Sequence, residues 1–177
     1  MRTVLLAGAM LSASFASEAT EVPTTEFGQL FARTCLQHFQ APQGLREQMQ
    51  REGAQPLPEA QAEIYLAGKP GVAWSLGGSA SNYVLSRGDG GACALFAQRA
   101  ESTAEQQVFA TQVGNAPAPW TATPLDYSKQ APPNAQTHAY AWKRPQEART
   151  LLISLTTTDA EDGGIQALAV MEWAKQE

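Results

Sequence analysis

VAWSLGGSASNYVLSRGDGGACALF, residues Val72 to Phe96, is the stretch whose reading decides the fold. It holds three short apolar runs: Val72-Ala73-Trp74-Ser75-Leu76, Tyr83-Val84-Leu85-Ser86 and Ala92-Cys93-Ala94-Leu95-Phe96. Gly77-Gly78-Ser79 and Gly88-Asp89-Gly90-Gly91 separate them. Glycine reaches the positive φ that tight turns require, and the runs have the length and composition of strands. Strand, glycine turn, strand at this spacing predicts an antiparallel meander.

Toward the C-terminus, Ser102 or Thr103 opens a helix bearing Ala104, Val108, Phe109 and Val113 and ending at Gly114. Asn115 to Pro119 breaks the chain, and four more strand-like segments follow: Trp120 to Tyr127, Thr137 to Lys143, Thr150 to Thr157 and Ile165 to Trp173. Leu151 to Thr158 is the most β-prone stretch and is expected to be central. In the last segment Ile165, Leu168, Val170 and Trp173 also suit a helix, and the alanine-rich composition favours one.

Toward the N-terminus, Thr24 or Thr25 can cap a helix with Phe27, Leu30, Phe31, Cys35 and Phe39 on one side, an inward-packing amphipathic pattern. A short polar helix over Leu45 to Glu52 and another over Pro58 to Leu66 follow, joined by the rigid connector Gln55-Pro56-Leu57-Pro58. Helices segregated from consecutive strands define an α+β class. The expectation is one domain over residues 20–177: an antiparallel sheet of about six or seven strands, N-terminal helices and one inserted helix. A profilin- or PAS-like order satisfies it, as a fold analogy without bearing on activity.

The first residues read differently. Arg2, the apolar run Val4 to Leu11 and the small-x-small pattern Ser14-Phe15-Ala16 have the order of a secretory signal peptide. Residues 1–16 are therefore expected to be removed, with a second acceptable cleavage point at residue 19. The apolar run is short of the roughly 20 residues a bilayer-spanning helix needs, so no transmembrane segment is expected in the mature chain. The expected location is the periplasm.

The net charge is -5 and the pI about 5.1, and the Lys and Arg residues are scattered. That argues against nucleic acid as a partner, because phosphate binding relies on clustered cations. Cys35 and Cys93 are the only cysteines. Export makes a bridge between them the expected state, with two separate buried thiols as the alternative. The bridge would tie the first helix to the sheet.

No motif for catalysis, metal or cofactor binding emerges. His38 and His138 lack metal-ligand spacing. Ser79, in Gly77-Gly78-Ser79-Ala80-Ser81, lacks the nucleophile-elbow pattern. Gly88 to Gly91 joins strand to strand, whereas a phosphate-cradling loop runs into a helix. Asp159 to Gly164 clusters carboxylates without the order of a calcium loop. Glu59, Glu63, Asp126 and Glu172 are scattered. Of the aromatic residues most should fill the core, and Trp74, Tyr140 and Trp142 are the candidates for a partner surface.

The mature sequence resembles a family of small exported proteins and lipoproteins of Gram-negative bacteria. The resemblance is carried by Phe31 to Leu36 (FARTCL), Gly71 to Trp74 (GVAW), Ala92 to Gln98 (ACALFAQ), Ala116 to Pro119 (APAP), Tyr140 to Trp142 (YAW) and Leu155 to Thr158 (LTTT). It implies that Cys35 and Cys93 match a recurrent pair, which fits a bridge. It supplies neither substrate nor site residues, and the lipobox cysteine of anchored members is missing here. The functional expectation is an exported, non-enzymatic binding or accessory protein. Its expected partner is an envelope protein, a secretion or conjugation machine, or a toxin. The alternatives are a small periplasmic enzyme acting on cell-wall or carbohydrate material, tested at His138, Asp126 and Ser79, or a small-ligand sensor.

Overall fold

In the computed structural model residues 24–127, 129, 131–160 and 164–174 are described. The signal peptide read at residues 1–16 lies outside them. Helix α1 (Glu26–Phe31) starts at Thr25, whose Oγ1 accepts the Gly28 N–H at 3.0 Å, a cap that satisfies one of the helix's free N–H groups. The chain was expected to stay helical to Phe39 but widens at Ala32–Leu36 into a π-helical turn that carries Cys35. Helix α2 (Pro42–Arg51) begins on a proline, β1 is Gln55–Pro56, and α3 (Glu59–Leu66) ends on left-handed Ala67 and Gly68. Then come β2 (Gly71–Gly77), β3 (Asn82–Gly88), β4 (Cys93–Ala97), α4 (Ser102–Gly114), β5 (Thr121–Leu125), β6 (Ala135–Lys143), β7 (Leu151–Thr158) and β8 (Ala167–Trp173).

The fold is α+β, with one antiparallel sheet of eight strands and four α-helices among the described residues. The six strands expected outright all form, and so does a strand in the last segment, which the sequence left open between strand and helix. The eighth is β1, read from the sequence as a rigid connector: Gln55 pairs with Ser75 and Pro56 with Trp74. A proline can sit there because β1 is an edge strand with no further neighbour awaiting its N–H, and β5 at the opposite edge carries Pro124.

The strand order β1-β2-β3-β4-β8-β7-β6-β5 reads as two meanders joined through β4 and β8. Leu151 to Thr158, expected to be central, is an interior strand two places from one edge, and the central pair is β4 and β8, with Leu95 opposite Ala169. The ambiguous last segment is thus a strand. Its side chains alternate, Ala167, Ala169 and Met171 buried and Leu168 and Val170 partly exposed, and ladders on both sides override the helix propensity of its alanines.

The core lies on one face of the sheet. Phe27, Leu30, Phe31, Phe109 and Val113 from α1 and α4 cover Leu85, Leu95, Ile153, Leu155 and Met171 from the strands. The buried Trp142 indole donates to the Val113 carbonyl at 2.7 Å, tying β6 to the end of α4. Cys35 and Cys93 are both fully buried and form the expected disulfide, between the π-helical turn and the third strand of the β2–β4 meander. On the opposite face α3 packs over β2 and β3, with Tyr65 edge-on to Phe96 at 5.0 Å between ring centroids. No helix among the described residues is long and apolar enough to cross a membrane.

Candidate functional site

Where the N-terminal ends of α1 and α4 meet the tip of the β2–β3 hairpin, the surface opens into a cleft of about 860 Å³. Thr25, Glu26, Ala80, Tyr83, Arg99 and Glu105 are among its lining residues. Glu26 sits in the first turn of α1, where a carboxylate complements the helix dipole. Its Oε1 accepts the Ser79 N–H at 3.0 Å. Its Oε2 accepts the Ala80 N–H at 3.0 Å, the Ser79 hydroxyl at 3.2 Å and the Tyr83 hydroxyl at 3.0 Å. The backbone N–H groups of Ala80 and Ser79, with the two hydroxyls, hold this carboxyl below its ordinary range. Three of the four donors converge on Oε2 and one on Oε1.

Tyr83 is pushed the other way. It is buried, which disfavours the phenolate, and its hydrogen-bond partner is already negative. Its ring lies where a Cβ on Gly78 would stand, so the hairpin tip closes over it only with glycine at that position. Glu105, in the first turn of α4, is 5% exposed. Burial pushes its carboxyl up, against the Thr25 hydroxyl that donates to its Oε2 at 2.6 Å. Thr25 thereby caps α1 with one side of its oxygen and reaches α4 with the other. The remaining wall is pinned: Arg99 N–H donates to Ser81 Oγ at 2.9 Å and Ala100 N–H to Gln166 Oε1 at 2.9 Å.

Of the residues singled out in the sequence, Ser79 reaches this cleft rim, but it donates to Glu26 and no histidine faces it. His38 follows the π-helical turn, hydrogen-bonded to Gln48 Oε1 at 2.7 Å. His138 is exposed on β6, opposite Leu155. Glu59 and Glu63 are exposed on α3, Glu172 on β8, and Asp126 follows β5. Among the described residues no group of three His, Cys, Asp or Glu is placed to hold a metal ion. Gly88 to Gly91 forms the expected turn between β3 and β4, with Gly91 at φ 96°. Trp74, on β2, and Trp142, on β6, are buried on the helix-covered face, and Tyr140, two positions before Trp142, is partly buried. The two tryptophans belong to the core, and Tyr140 packs against it.

Glu26, Tyr83 and Glu105 did not stand out in the sequence. Each has an ordinary local explanation there, two as first-turn helix acids and one as a strand aromatic, and only the long-range pairing of hairpin and helices assembles them. No family model, no curated protein and no solved structure matches the chain.

Proposed function

We propose that the chain is an exported, non-enzymatic binding protein of the cell envelope that engages a protein partner at the cleft over Glu26 and Glu105. The observation that carries this reading is the clamp made by Glu26. Four donors favour its charged form and hold the carboxyl below its ordinary range, which makes it a poor proton carrier near neutrality. Its work is to hold the hairpin tip against α1, which gives a rigid concave rim, and preformed concave surfaces favour binding. The signal-peptide pattern at residues 2–16 supports export, and the Cys35–Cys93 bridge suits an oxidising compartment.

The test is a photo-crosslinking residue at position 99, on the cleft wall, in the chain expressed with its own leader. The expected result is a discrete protein adduct in the envelope fraction, absent when the same residue is placed at exposed position 143 on β6. No adduct from position 99, or the same adducts from both positions, would sink the reading.

One observation favours a small carbohydrate- or cell-wall-acting enzyme as the second reading. Two carboxyl groups line one cleft with their proton affinities pushed in opposite directions, Glu26 down and Glu105 up, which is how acid and base roles are divided between carboxylates. Under it, Glu105→Gln abolishes hydrolysis of cell-wall or polysaccharide substrate. Substrate turnover that is absent in the wild type removes it.

A further inference from the structure

On β3 the side chains that face the helices are Tyr83, Leu85 and Arg87. The third is an arginine in a row of core positions, beside Val72 on β2 and Cys93 on β4. It is 3% exposed. No hydrogen bond or ion pair reaches its guanidinium among the described residues, and its Nε and Nη1 are sealed from solvent without an acceptor. The nearest acid in sequence, Asp89, is engaged by Arg46 at 2.9 Å. A guanidinium does not escape this by giving up its proton. A buried charge without a partner is strongly unfavourable, and no described residue supplies its counter-charge, which leaves a place for one carried by a bound ligand.

The place for it is open. A pocket of about 410 Å³ lies over Arg87, walled by Arg144, Arg149, Phe39 and Trp173 and sharing no lining residue with the cleft over Glu26. Its two acids are already spoken for. Asp89 holds Arg46, and Glu147 is shared between Arg144 at 3.1 Å and Arg149 at 3.4 Å. Four guanidinium groups thus meet two carboxylates, in a chain whose net charge is -5. Arg149 lies 4.2 Å above the Trp173 ring and Arg144 lies 4.9 Å above Trp120. Stacking of this kind fixes a guanidinium through its flat face and leaves N–H edges for an acceptor.

We infer that Arg87, with Arg144 and Arg149, forms a binding site for the oxyanion group, carboxylate or phosphate, of a small molecule whose body rests against Phe39 and Trp173. The inference goes beyond the cleft reading and does not depend on it. Phosphate and carboxylate share the acceptor geometry that arginine forks recognise, and the pocket is roomier than a bare ion needs, so a body beyond the charged group is accommodated.

The test titrates the wild-type protein with inorganic phosphate and, separately, with benzoate, at constant ionic strength, reading calorimetric heat and the Trp173 indole resonance. The expected result is saturable binding of at least one probe, weakened about tenfold or more in Arg87→Met. The probe that binds names the oxyanion. Arg87→Met is also expected to melt higher than wild type without probe, since it removes an unpaired buried charge in favour of an apolar chain of similar length. Binding of neither probe, or unchanged affinity in Arg87→Met, overturns the proposal. Should that variant fail to fold, Arg149→Ala at the exposed wall carries the test. Weakened binding supports the site and unchanged binding removes it.

Discussion

Tyr83 donates its hydroxyl to Glu26 at 3.0 Å, joining β3 to the first turn of α1 across 57 positions of chain. Burial, and then this bond to a carboxylate, favour the neutral phenol, so the folded protein resists an ionisation that the unfolded chain undergoes near pH 10. Stability from this bond is fully present below that range and is lost as pH rises above it. Tyr83→Phe should cost about 1 kcal/mol near neutrality, and its loss of stability in alkali should be shallower than the wild type's. Urea midpoints between pH 7 and pH 11 measure both.

Glu26 itself governs the acid side. Its carboxyl is held down by the Ala80 and Ser79 N–H groups, so its contribution is present above the ordinary carboxylate value of 4.5 and disappears as pH falls through the lower folded value. Glu26→Gln should therefore flatten the acid limb of the stability profile while leaving the alkaline limb partly in place. An acid limb of unchanged steepness would show that the clamp does not control the hairpin tip.

Glu105 works with the opposite sign. Burial raises its carboxyl above the ordinary 4.5, so the unfolded chain releases the proton first, and stability is lost as pH rises from that value through the folded one. Glu105→Gln keeps an oxygen for the Thr25 hydroxyl and removes the titration. It should raise the melting temperature at pH 7 and change it little at pH 4. A variant less stable than wild type at both values would mean that the carboxylate is held charged.

The Cys35–Cys93 bridge closes 58 positions of chain. In the chain-entropy description a loop of that size is worth about 4 kcal/mol as an upper bound. Cys35→Ala/Cys93→Ala should lower the urea midpoint and steepen the transition, because the unfolded chain without the cross-link exposes more surface, and adding reductant should leave the double variant unmoved.

The strands were legible because their signals are local. Gly77-Gly78 and Gly88 to Gly91 mark turns whatever the rest of the chain does, and Leu151 to Thr158 has few other uses. β1 was not legible, since Gln55-Pro56 becomes a strand only when β2 offers Ser75 and Trp74 beside it. The strand identity of β8 likewise depends on two neighbours from distant sequence. The cleft failed to show for the same reason. Glu26 and Glu105 are 79 positions apart, and Arg87 reads as an ordinary strand cation until its burial is seen. Patterns in sequence mark elements, whereas a site is made by the register between them.

One such close register is between α1 and α4. Gly28 is buried where the two helices approach, and a Cβ there would overlap Val108 Cγ1 and stand 2.9 Å from Thr25 Oγ1. Neither neighbour can yield easily: Val108 is 3% exposed, and Thr25 Oγ1 is fixed by the Gly28 N–H and by Glu105. Gly28→Ala should therefore destabilise by about 1–3 kcal/mol, the usual cost of overpacking, although alanine is the better helix former. Val108→Ala removes the overlapping methyl groups and leaves a small cavity of its own. If the contact is the cause, the double variant should be more stable than the sum of the two single losses implies, the signature of residues in direct contact. Denaturation of all four proteins under one condition closes the cycle, and strict additivity would place the strain of Gly28→Ala at Thr25 instead.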